Sequence, residues 1–293
     1  MSYSPDPKPS RRHVLSLCGA TLVSTRLATP AIAKTAVVQF GLTPVFLTSD
    51  LELLGRLQSY LQRSTGCAVR LVNRRTYQEV TTLLTSGQID GAWICGYPFV
   101  SHRTELQLLA VPQWRGRPLY RSLAICDADR DASDLTSLRG DVHAFSDPDS
   151  NSGCLVTKAA LISRGFRPET FFAKTLFTYG HRDVIRAVAA GLVQSGSVDG
   201  YVYDVVSKLE PALTSRTRIV SASEWLGFPP IAAPKLPPDA ELHSLLKNAL
   251  LTMHQTEDGR AVLEMLQLDR FSSEAPELFD PIAIKAALVA AAG

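Results

Sequence analysis

Hydrophobic residues along the chain alternate between short continuous runs, typical of buried strands, and stripes at helical spacing. From Val37 onward, three strand-like runs are separated by two helix-like segments. In order, these segments are Val37–Leu42, 51–63 with leucines at 51, 54, 57 and 61, Val69–Val72, Tyr77–Leu84 and Ile89–Cys95. This order predicts a doubly wound sheet, whose ligands bind beyond the carboxyl ends of its strands. The ends of the first and third strands are Thr43-Pro44 and Cys95-Gly96-Tyr97-Pro98.

The second half of the chain repeats the scheme. Further predicted strands are Leu106–Val111, Ser122–Cys126, Val142–Phe145, Phe171–Phe177, Val198–Tyr203 and 218–221, and predicted helices are 135–138, 155–164, Arg182–Ala190 and 205–213. The C-terminal part is helical through Leu266 without a sheet of its own, so we expect it to cover the first half. The fold class is therefore α/β, with two doubly wound lobes.

The repetition also predicts where the lobes begin and end. Residues 34–120 and 228–293 form the first lobe, and residues 121–227 form the second. The chain crosses between them twice, near residues 118–126 and 222–234, which makes a two-segment hinge.

The first 33 residues have the order of an export signal: a charged start, an apolar stretch and a small-residue cleavage site at Ala31-Ile32-Ala33. Arg11-Arg12 resembles a twin-arginine signal, although Val14 and Ser16 depart from its fuller pattern. The apolar stretch is too short to span a membrane. We therefore expect residues 1–33 to be removed and the mature protein to be periplasmic and not embedded in the membrane. The alternative is a disordered basic tail before a soluble domain.

Charge and composition narrow the classes of partner. The formal net charge is +2, but residues 1–33 carry a net +3, so the rest of the chain carries −1. A near-neutral mature chain has no overall electrostatic attraction to nucleic acid. Removing the signal leaves Cys67, Cys95, Cys126 and Cys154, which show neither a CxxC pair nor a zinc spacing.

The segment after Phe145 carries the clearest chemistry. It reads Ser146-Asp147-Pro148-Asp149-Ser150-Asn151-Ser152-Gly153, a turn that opens a helix. The first turn of a helix has unpaired N–H groups and a dipole that favours negative charge. The serine hydroxyls can donate further bonds, and Gly153 allows a ligand to approach the backbone. An oxyanion site is one interpretation; a simple Ser150 helix cap is the other.

A second strand-to-helix junction, Thr178-Tyr179-Gly180-His181-Arg182-Asp183, lies on the same predicted sheet edge. A histidine at a helix start can donate to an anion in its neutral or protonated form. His181 is therefore a second candidate, with an ordinary helix-cap or surface role as the alternative.

Several motifs together resemble a known family. In chain order they are Leu138-Arg139-Gly140, 147–153, the His181 helix with Ala187–Gly191, Val198-Asp199-Gly200-Tyr201 and Gly227-Phe228-Pro229-Pro230. This succession resembles the phosphate/phosphite/phosphonate-type solute-binding proteins of ABC transporters, which have a type II periplasmic binding fold. The likeness runs from about Val37 to Leu278.

The resemblance implies a hinged clamp that closes on a small anion, uses no cofactor, performs no covalent chemistry and delivers its ligand to an ABC transporter permease. The implied anion-binding residues are Ser150, Asn151, Ser152 and His181, beside Gly153. The implied opposite wall is looser, around Thr43 and Tyr97, and Asp204 stands near the family's acidic position that meets a ligand's amine.

One residue departs from the family pattern. Cys154 follows the Ser-Gly pair where relatives carry an aromatic residue, and Cys95 ends a first-lobe strand. Both thiols could face the cleft, and thiols suit a soft metalloid such as arsenite. A periplasmic sensor partnered with a histidine kinase is therefore the alternative function, against two thiols that simply pack in the core. Enzyme readings have no support, since GxSxG, P-loop, HExxH and GxGxxG motifs are absent from the sequence.

Overall fold

The structure is a computed structural model that describes residues 1–4, 37–44, 51–235 and 240–293. Nearly all of the predicted export signal, including Arg11-Arg12 and Ala31-Ile32-Ala33, lies outside the described residues. The unit from Ala36 to Gly293 carries the fold.

Strands and helices alternate along this unit. The N-terminal elements are β1 (Val37–Leu42), α1 (Leu51–Thr65), β2 (Ala68–Asn73), α2 (Tyr77–Thr85), β3 (Gly91–Trp93), α3 (Gly96–Ser101), β4 (Leu106–Gln113) and β5 (Leu119–Tyr120). The middle elements are β6 (Ser122–Asp127), a 3₁₀ turn (Leu135–Leu138), β7 (Val142–Phe145), a π-helical turn (Asn151–Leu155), α4 (Val156–Ile162), α5 (Pro168–Phe171), β8 (Lys174–Phe177), α6 (His181–Ala189), β9 (Ser195–Asp199), α7 (Gly200–Leu209), α8 (Pro211–Thr214) and β10 (Thr217–Ala222). The C-terminal elements are β11 (Leu226–Gly227), β12 (Ile231–Pro234), α9 (Ala240–Leu251), a 3₁₀ turn (Met253–Gln255), α10 (Glu257–Leu266), β13 (Arg270–Ser272), a 3₁₀ turn (Pro276–Phe279) and α11 (Asp280–Ala292).

Six strands form the first sheet, in the order β13-β4-β12-β3-β1-β2. β1 runs parallel to β2 and β3, whereas β12 is antiparallel to β3 and β4. We call the part of the chain built on this sheet the first lobe. The carboxyl ends of β1, β2 and β3 meet at one edge, which brings the starts of α2 and α3 together.

Five strands form the second sheet, in the order β10-β6-β9-β7-β8, and carry the second lobe. β7 is parallel to β8 and β9, while β6 is antiparallel to β9 and β10. The carboxyl ends of β7, β8 and β9 therefore share one edge as well. The two sheets confirm the predicted α/β fold.

Two short strands connect the lobes. β5 and β11 pair antiparallel, with Tyr120 opposite Leu226 and Leu119 opposite Gly227. The chain passes from the first sheet to the second after β5 and returns through β11. This pair is the two-segment connection that the sequence predicted; the exact lobe boundaries stay a prediction.

The C-terminal helices serve both lobes. α9 and α10 pack on α1 of the first lobe, as expected, but α11 contacts α3 of the first lobe and α4 of the second. β12 and β13 also join the first sheet, so the C-terminal part is not purely helical. Among the residues that the structure describes, no helix has the length and apolar character needed to cross a bilayer.

One predicted strand was too long. The sequence predicted a strand over Val198–Tyr203, but β9 ends at Asp199, whose Oδ1 accepts hydrogen bonds from Tyr201 N at 2.8 Å and Val202 N at 3.2 Å. These bonds cap α7, because the carboxylate satisfies donors that an extended backbone would give to a neighbouring strand. The predicted strand over Phe171–Phe177 is shorter for a similar reason, since Pro168 starts the short helix α5.

Candidate functional site

The segment between β7 and α4, residues 146–155, is folded into a compact polar turn that we call the serine loop. Asp147 shapes its start: Oδ1 accepts a hydrogen bond from Asp149 N at 2.8 Å, and its carbonyl accepts one from Ser150 N at 3.0 Å. The π-helical turn follows, and Ser150 caps it by accepting a bond from Gly153 N at 2.9 Å. Ser150 thus has the capping role that the simpler interpretation gave it.

Three side-chain atoms of the serine loop are buried without a hydrogen-bond partner among the described residues. They are Ser146 Oγ, Asn151 Oδ1 and Ser152 Oγ, and each residue is at most 1% exposed. Ser152 Oγ makes no hydrogen bond of normal geometry, but it lies close enough to the Asp199 carboxyl and the Tyr120 hydroxyl to favour the ionised form of each. An unpaired buried polar group costs about 1–3 kcal/mol. Groups of this kind are uncommon in native proteins, so these three atoms are candidate contacts for a polar ligand or an ordered water.

Gly153 lies where the serine loop comes closest to its surroundings. A Cβ atom at this position would stand 1.8 Å from Ser146 Oγ, 2.8 Å from Ser146 Cβ and 2.9 Å from His181 Cε1. No side chain fits there, so glycine is required for the close approach of the loop to β7 and α6.

His181, the first residue of α6, is fully buried beside the serine loop. Its Nδ1 accepts a hydrogen bond from Asp199 N at 3.1 Å, so Nδ1 carries no proton and the neutral ring has its proton on Nε2. Nε2 lies 3.3 Å from Tyr77 OH of the first lobe. Burial lowers the pKa of His181 to about 3, so the ring is a neutral donor at physiological pH.

Three first-lobe side chains face the serine loop. Asn151 N donates to Cys95 Sγ at 3.2 Å, and Asn151 Nδ2 donates to Tyr120 OH at 2.8 Å. Tyr77, at the start of α2, contacts His181. The cluster therefore forms between the two lobes, with the ends of β2, β3 and β5 on one side and those of β7, β8 and β9 on the other.

Thr43 and Tyr97, the residues predicted for the first-lobe side of the cleft, make no hydrogen bond to the serine loop within the described part of the chain. Thr43 is buried after β1, and its hydroxyl donates to Trp93 O at 3.1 Å, which ties together the ends of β1 and β3. Tyr97 is half-buried and lines a polar cavity of 310 Å³ with His102 and Asp149. The structure thus places Tyr97 beside the cluster.

Asp204 has charged partners of its own, and its contact with an amine of the ligand stays a prediction. It lies on α7 in ion pairs with Arg115, at 2.6 Å, and Lys208, at 3.1 Å. The carboxylate near the serine loop is Asp199, whose backbone N–H bonds to His181.

We accordingly expect Asp204→Asn to change the affinity for the ligand by no more than about fivefold, since solvent-exposed ion pairs contribute up to about 1 kcal/mol. Titration calorimetry on wild type and variant measures this. A loss of binding beyond that range would return Asp204 to the site.

The two candidate thiols lie in different hydrophobic clusters. Cys95 belongs to the large cluster that includes the first-lobe core, and Cys154 packs with Phe145 and Leu161 under the second sheet. Burial raises the pKa of each thiol to about 11, which keeps it protonated, whereas metals bind the thiolate. The four cysteines of the described part are free, and its residues contain no group of three His, Cys, Asp or Glu able to hold a metal. Arsenite ligation stays an untested prediction that these positions do not favour.

The titratable side chains buried in the cluster include two carboxyl groups, and Lys158 is the cation beside Cys154. Asp147 and Asp199 are each 1% exposed, and burial raises the pKa of both, that of Asp199 to about 7. Hydrogen bonds from backbone N–H groups partly offset this by favouring the carboxylates. Among the described residues, the donors of the cluster's hydrogen bonds are backbone N–H, amide, hydroxyl and imidazole groups, and the Cys95 sulfur accepts one of these bonds.

Four contributors to the cluster were not singled out from the sequence: Ser146, Tyr77, Tyr120 and Asp199. Tyr77 had a usable signal, because it follows β2 and starts a helix with a capping box, Thr76 to Glu79. The rule that ligands bind at the carboxyl ends of strands applied to this junction as well as to Thr43 and Cys95.

A family model described as "ABC transporter, phosphonate, periplasmic substrate-binding protein" matches residues 40–278. Solved structures with the same architecture include a binding protein component of an ABC phosphonate transporter from Pseudomonas aeruginosa, with a TM-score of 0.79 and 19% identity over 88% of this chain and 89% of that one. PhnD1 from Prochlorococcus marinus in complex with methylphosphonate has a TM-score of 0.78 and 18% identity over 86% of this chain and 97% of that one. These likenesses confirm the type II periplasmic binding fold.

Proposed function

Because this chain belongs to the family of periplasmic substrate-binding proteins of ABC phosphonate transporters, we propose that the serine loop and His181 hold a small phosphonate-class oxyanion between the two lobes. The observation that carries this proposal is the set of three unpartnered buried polar atoms, on Ser146, Asn151 and Ser152. An oxyanion that accepts from the two hydroxyls removes most of their desolvation penalty.

Each group has a defined task in this proposal. The Ser146 and Ser152 hydroxyls donate to the oxyanion. His181 Nε2–H adds a donor whose direction is fixed, because Asp199 N–H holds the other ring nitrogen. Tyr77 and Tyr120 close the first-lobe side, and Gly153 lets Ser146 and His181 approach the backbone of the serine loop. The site binds and does not transform its ligand.

The charge pattern favours a particular oxyanion. The donors of the site carry no formal charge, and two carboxyl groups, Asp147 and Asp199, are buried beside them. Such a site gives little compensation for the cost of removing a dianion from water. An oxyanion that keeps a proton carries less charge and can donate its O–H to an acceptor such as Asn151 Oδ1. The second ionisation of phosphonates, phosphite and phosphate lies near neutral pH, so a fraction of each keeps an O–H, whereas sulfate is a dianion; we therefore propose selection against sulfate. Methylphosphonate, which PhnD1 of Prochlorococcus marinus holds, is the natural first probe.

The rest of the transport cycle follows from the family. We propose that residues 34–120 with 228–293 and residues 121–227 move as two bodies about the β5–β11 pair, and that the closed form docks on an ABC permease. Export by the twin-arginine route, with Arg11-Arg12 as its signal, is part of the same proposal. No contact in the described part of the chain favours the sensor alternative.

We expect a thermal-shift panel to show methylphosphonate or phosphite raising the melting temperature, and sulfate leaving it unchanged, because a ligand that binds only the folded state stabilises it. Ser152→Ala should then weaken binding of the active oxyanion by about 10- to 100-fold, the effect of losing one hydrogen bond to a charged group.

Ser163→Ala is the matched control, since the Ser163 hydroxyl only donates to Ala159 O at the end of α4. It should bind as wild type does. If no oxyanion of the panel shifts the melting temperature, or if Ser152→Ala binds like Ser163→Ala, the proposed site is wrong.

A further inference from the structure

The carboxylate of Asp147 reaches from the second lobe into the first. Its Oδ2 accepts a hydrogen bond from Tyr77 N at 3.1 Å, while its Oδ1 accepts from Asp149 N in its own turn at 2.8 Å. Asp147 is 1% exposed and 70 residues away from Tyr77 in sequence. One side chain therefore holds the shape of the serine loop and contacts the opposite lobe at the same time.

The first-lobe partner of Asp147 is the start of α2, where one backbone N–H group has no acceptor within the helix. In α2, Thr76 Oγ1 accepts from Glu79 N at 3.2 Å, and the Glu79 carboxylate accepts from Thr76 N at 2.9 Å, which completes a capping box. Tyr77 N, at the first helical position, is outside this pair and has no partner within its own helix. Asp147 supplies the missing acceptor, and its negative charge also suits the positive end of α2.

We propose that Asp147 is a positioning residue that fastens the second lobe to the start of α2 when the cleft closes. This inference rests on the proposed function, since it concerns closure over the same ligand. A ligand that orders the serine loop also orders the turn in which Oδ1 of Asp147 is held. The other oxygen of that carboxylate is then aimed at Tyr77 N, so loop order and lobe closure are coupled through one side chain.

The coupling has a measurable consequence. A ligand enclosed by both lobes binds with an apparent affinity that falls in proportion to the population of the closed form. Removal of the bond between Asp147 and Tyr77 N should therefore weaken binding about tenfold, the effect expected for a bond to a charged group. The loss should appear mainly in the dissociation rate, because the open form still meets ligand as before.

Proline at position 77 tests this bond directly. Proline is well tolerated at the first helical position and lacks only the N–H group there. Thr76 has φ −121° and ψ 158°, a conformation that a residue before proline readily adopts. Tyr77→Pro and Tyr77→Ala both lose the tyrosine ring and its contact with His181, so their comparison isolates the N–H.

With methylphosphonate as the probe, we expect Tyr77→Pro to bind about tenfold more weakly than Tyr77→Ala, and the two to bind equally once Asp147→Ala is added. Small-angle scattering of the ligand-free proteins should show a larger radius of gyration for Tyr77→Pro than for Tyr77→Ala. Equal affinity and equal size with Asp147 intact would overturn the proposal.

A second pair of variants tests the proposal if the position 77 variants fold poorly. Asp147→Asn keeps one acceptor oxygen and should lose affinity, whereas Asp258→Asn, at an exposed ion pair with Arg63 on α10, should bind within about threefold of wild type. Equal effects of the two would also overturn the proposal. If methylphosphonate, phosphite and phosphate all fail to bind the wild type, the proposed function fails, and the scattering comparison still decides whether Asp147 fastens the lobes.

Discussion

Gly153→Ala is expected to lower the affinity for methylphosphonate by at least about 100-fold. The added methyl would lie 1.8 Å from Ser146 Oγ and could be accommodated only by displacing this hydroxyl. Rotation of Ser146 alone is insufficient, because Ser146 Cβ and His181 Cε1 would still be within 3 Å of the new atom. The serine loop must move away from β7 and α6, which separates two oxyanion donors from the rest, and overpacking of this kind also costs about 1–3 kcal/mol of stability.

Gly55→Ala is the control for this substitution. Gly55 is in α1, and a Cβ there would have nothing within 4 Å. Alanine should stabilise that helix by up to about 1 kcal/mol and leave binding unchanged. Calorimetry for affinity and thermal unfolding for stability separate the two effects. Methylphosphonate binding by Gly153→Ala at wild-type strength would show that the ligand does not lie against the serine loop.

The second large effect concerns pH and a histidine outside the site. His143 is fully buried in β7, with Nδ1 2.8 Å from Ser195 Oγ and Nε2 2.8 Å from Ser197 Oγ, and it stacks on Phe172 at 4.1 Å. Hydroxyl groups can both donate and accept, so they satisfy the two nitrogens of a neutral ring. Burial lowers the pKa of His143 to about 3.

Stability should therefore fall as the medium is acidified. In the unfolded chain, a histidine takes up a proton below a pKa of about 6.5, whereas folded His143 stays neutral down to about pH 3, so the unfolded state gains protons first. Between pH 7 and pH 5 this difference should remove about 2 kcal/mol from the free energy of unfolding.

Urea unfolding of wild type and His143→Gln at both pH values measures the effect. The difference in stability between the two proteins should change by about 2 kcal/mol from pH 7 to pH 5. Acidification also lowers stability through His181, whose pKa is lowered by burial, but it raises stability through Asp199, whose pKa is raised. Both are present in each protein, so their contributions cancel. An equal response of the two proteins to pH would mean that His143 is protonated in the folded state.

Much of the fold could be predicted from local patterns. Continuous apolar runs such as Val37–Leu42 and leucines at helical spacing gave strands and helices whose order determines a doubly wound sheet. Errors occurred where a side chain decided the outcome: at Asp199, a carboxylate ends a strand that apolar content alone would extend through Tyr203. The contact of α11 with both lobes was also not predictable, since it depends on where two separate layers meet.

The candidate site was predicted from one side only. Ser150, Asn151, Ser152, Gly153 and His181 lie at strand-to-helix junctions of the second lobe, and the structure brings them together. Residues on the opposite side meet them through long-range contacts that leave no local pattern.

The separations show the difficulty. Tyr120 bonds to a residue 31 positions away, and Tyr77 N to one 70 positions away. Such pairings are determined by how the two lobes close, which neither spacing nor composition reports. Thr43 and Tyr97 were reasonable choices at strand ends of the first lobe, but the structure puts one in a bond between strands and the other at a rim cavity.

The enclosure of the serine loop determines how a ligand arrives and leaves. Its four polar residues Ser146, Ser150, Asn151 and Ser152 and both tyrosines that face it are at most 1% exposed, so no diffusing solute reaches them while the lobes are together. Entry requires separation of the lobes, and the waiting time for that separation, rather than the encounter rate in solution, limits loading at high solute concentration. In the proposed function, the same enclosure slows the dissociation of bound solute until the lobes separate.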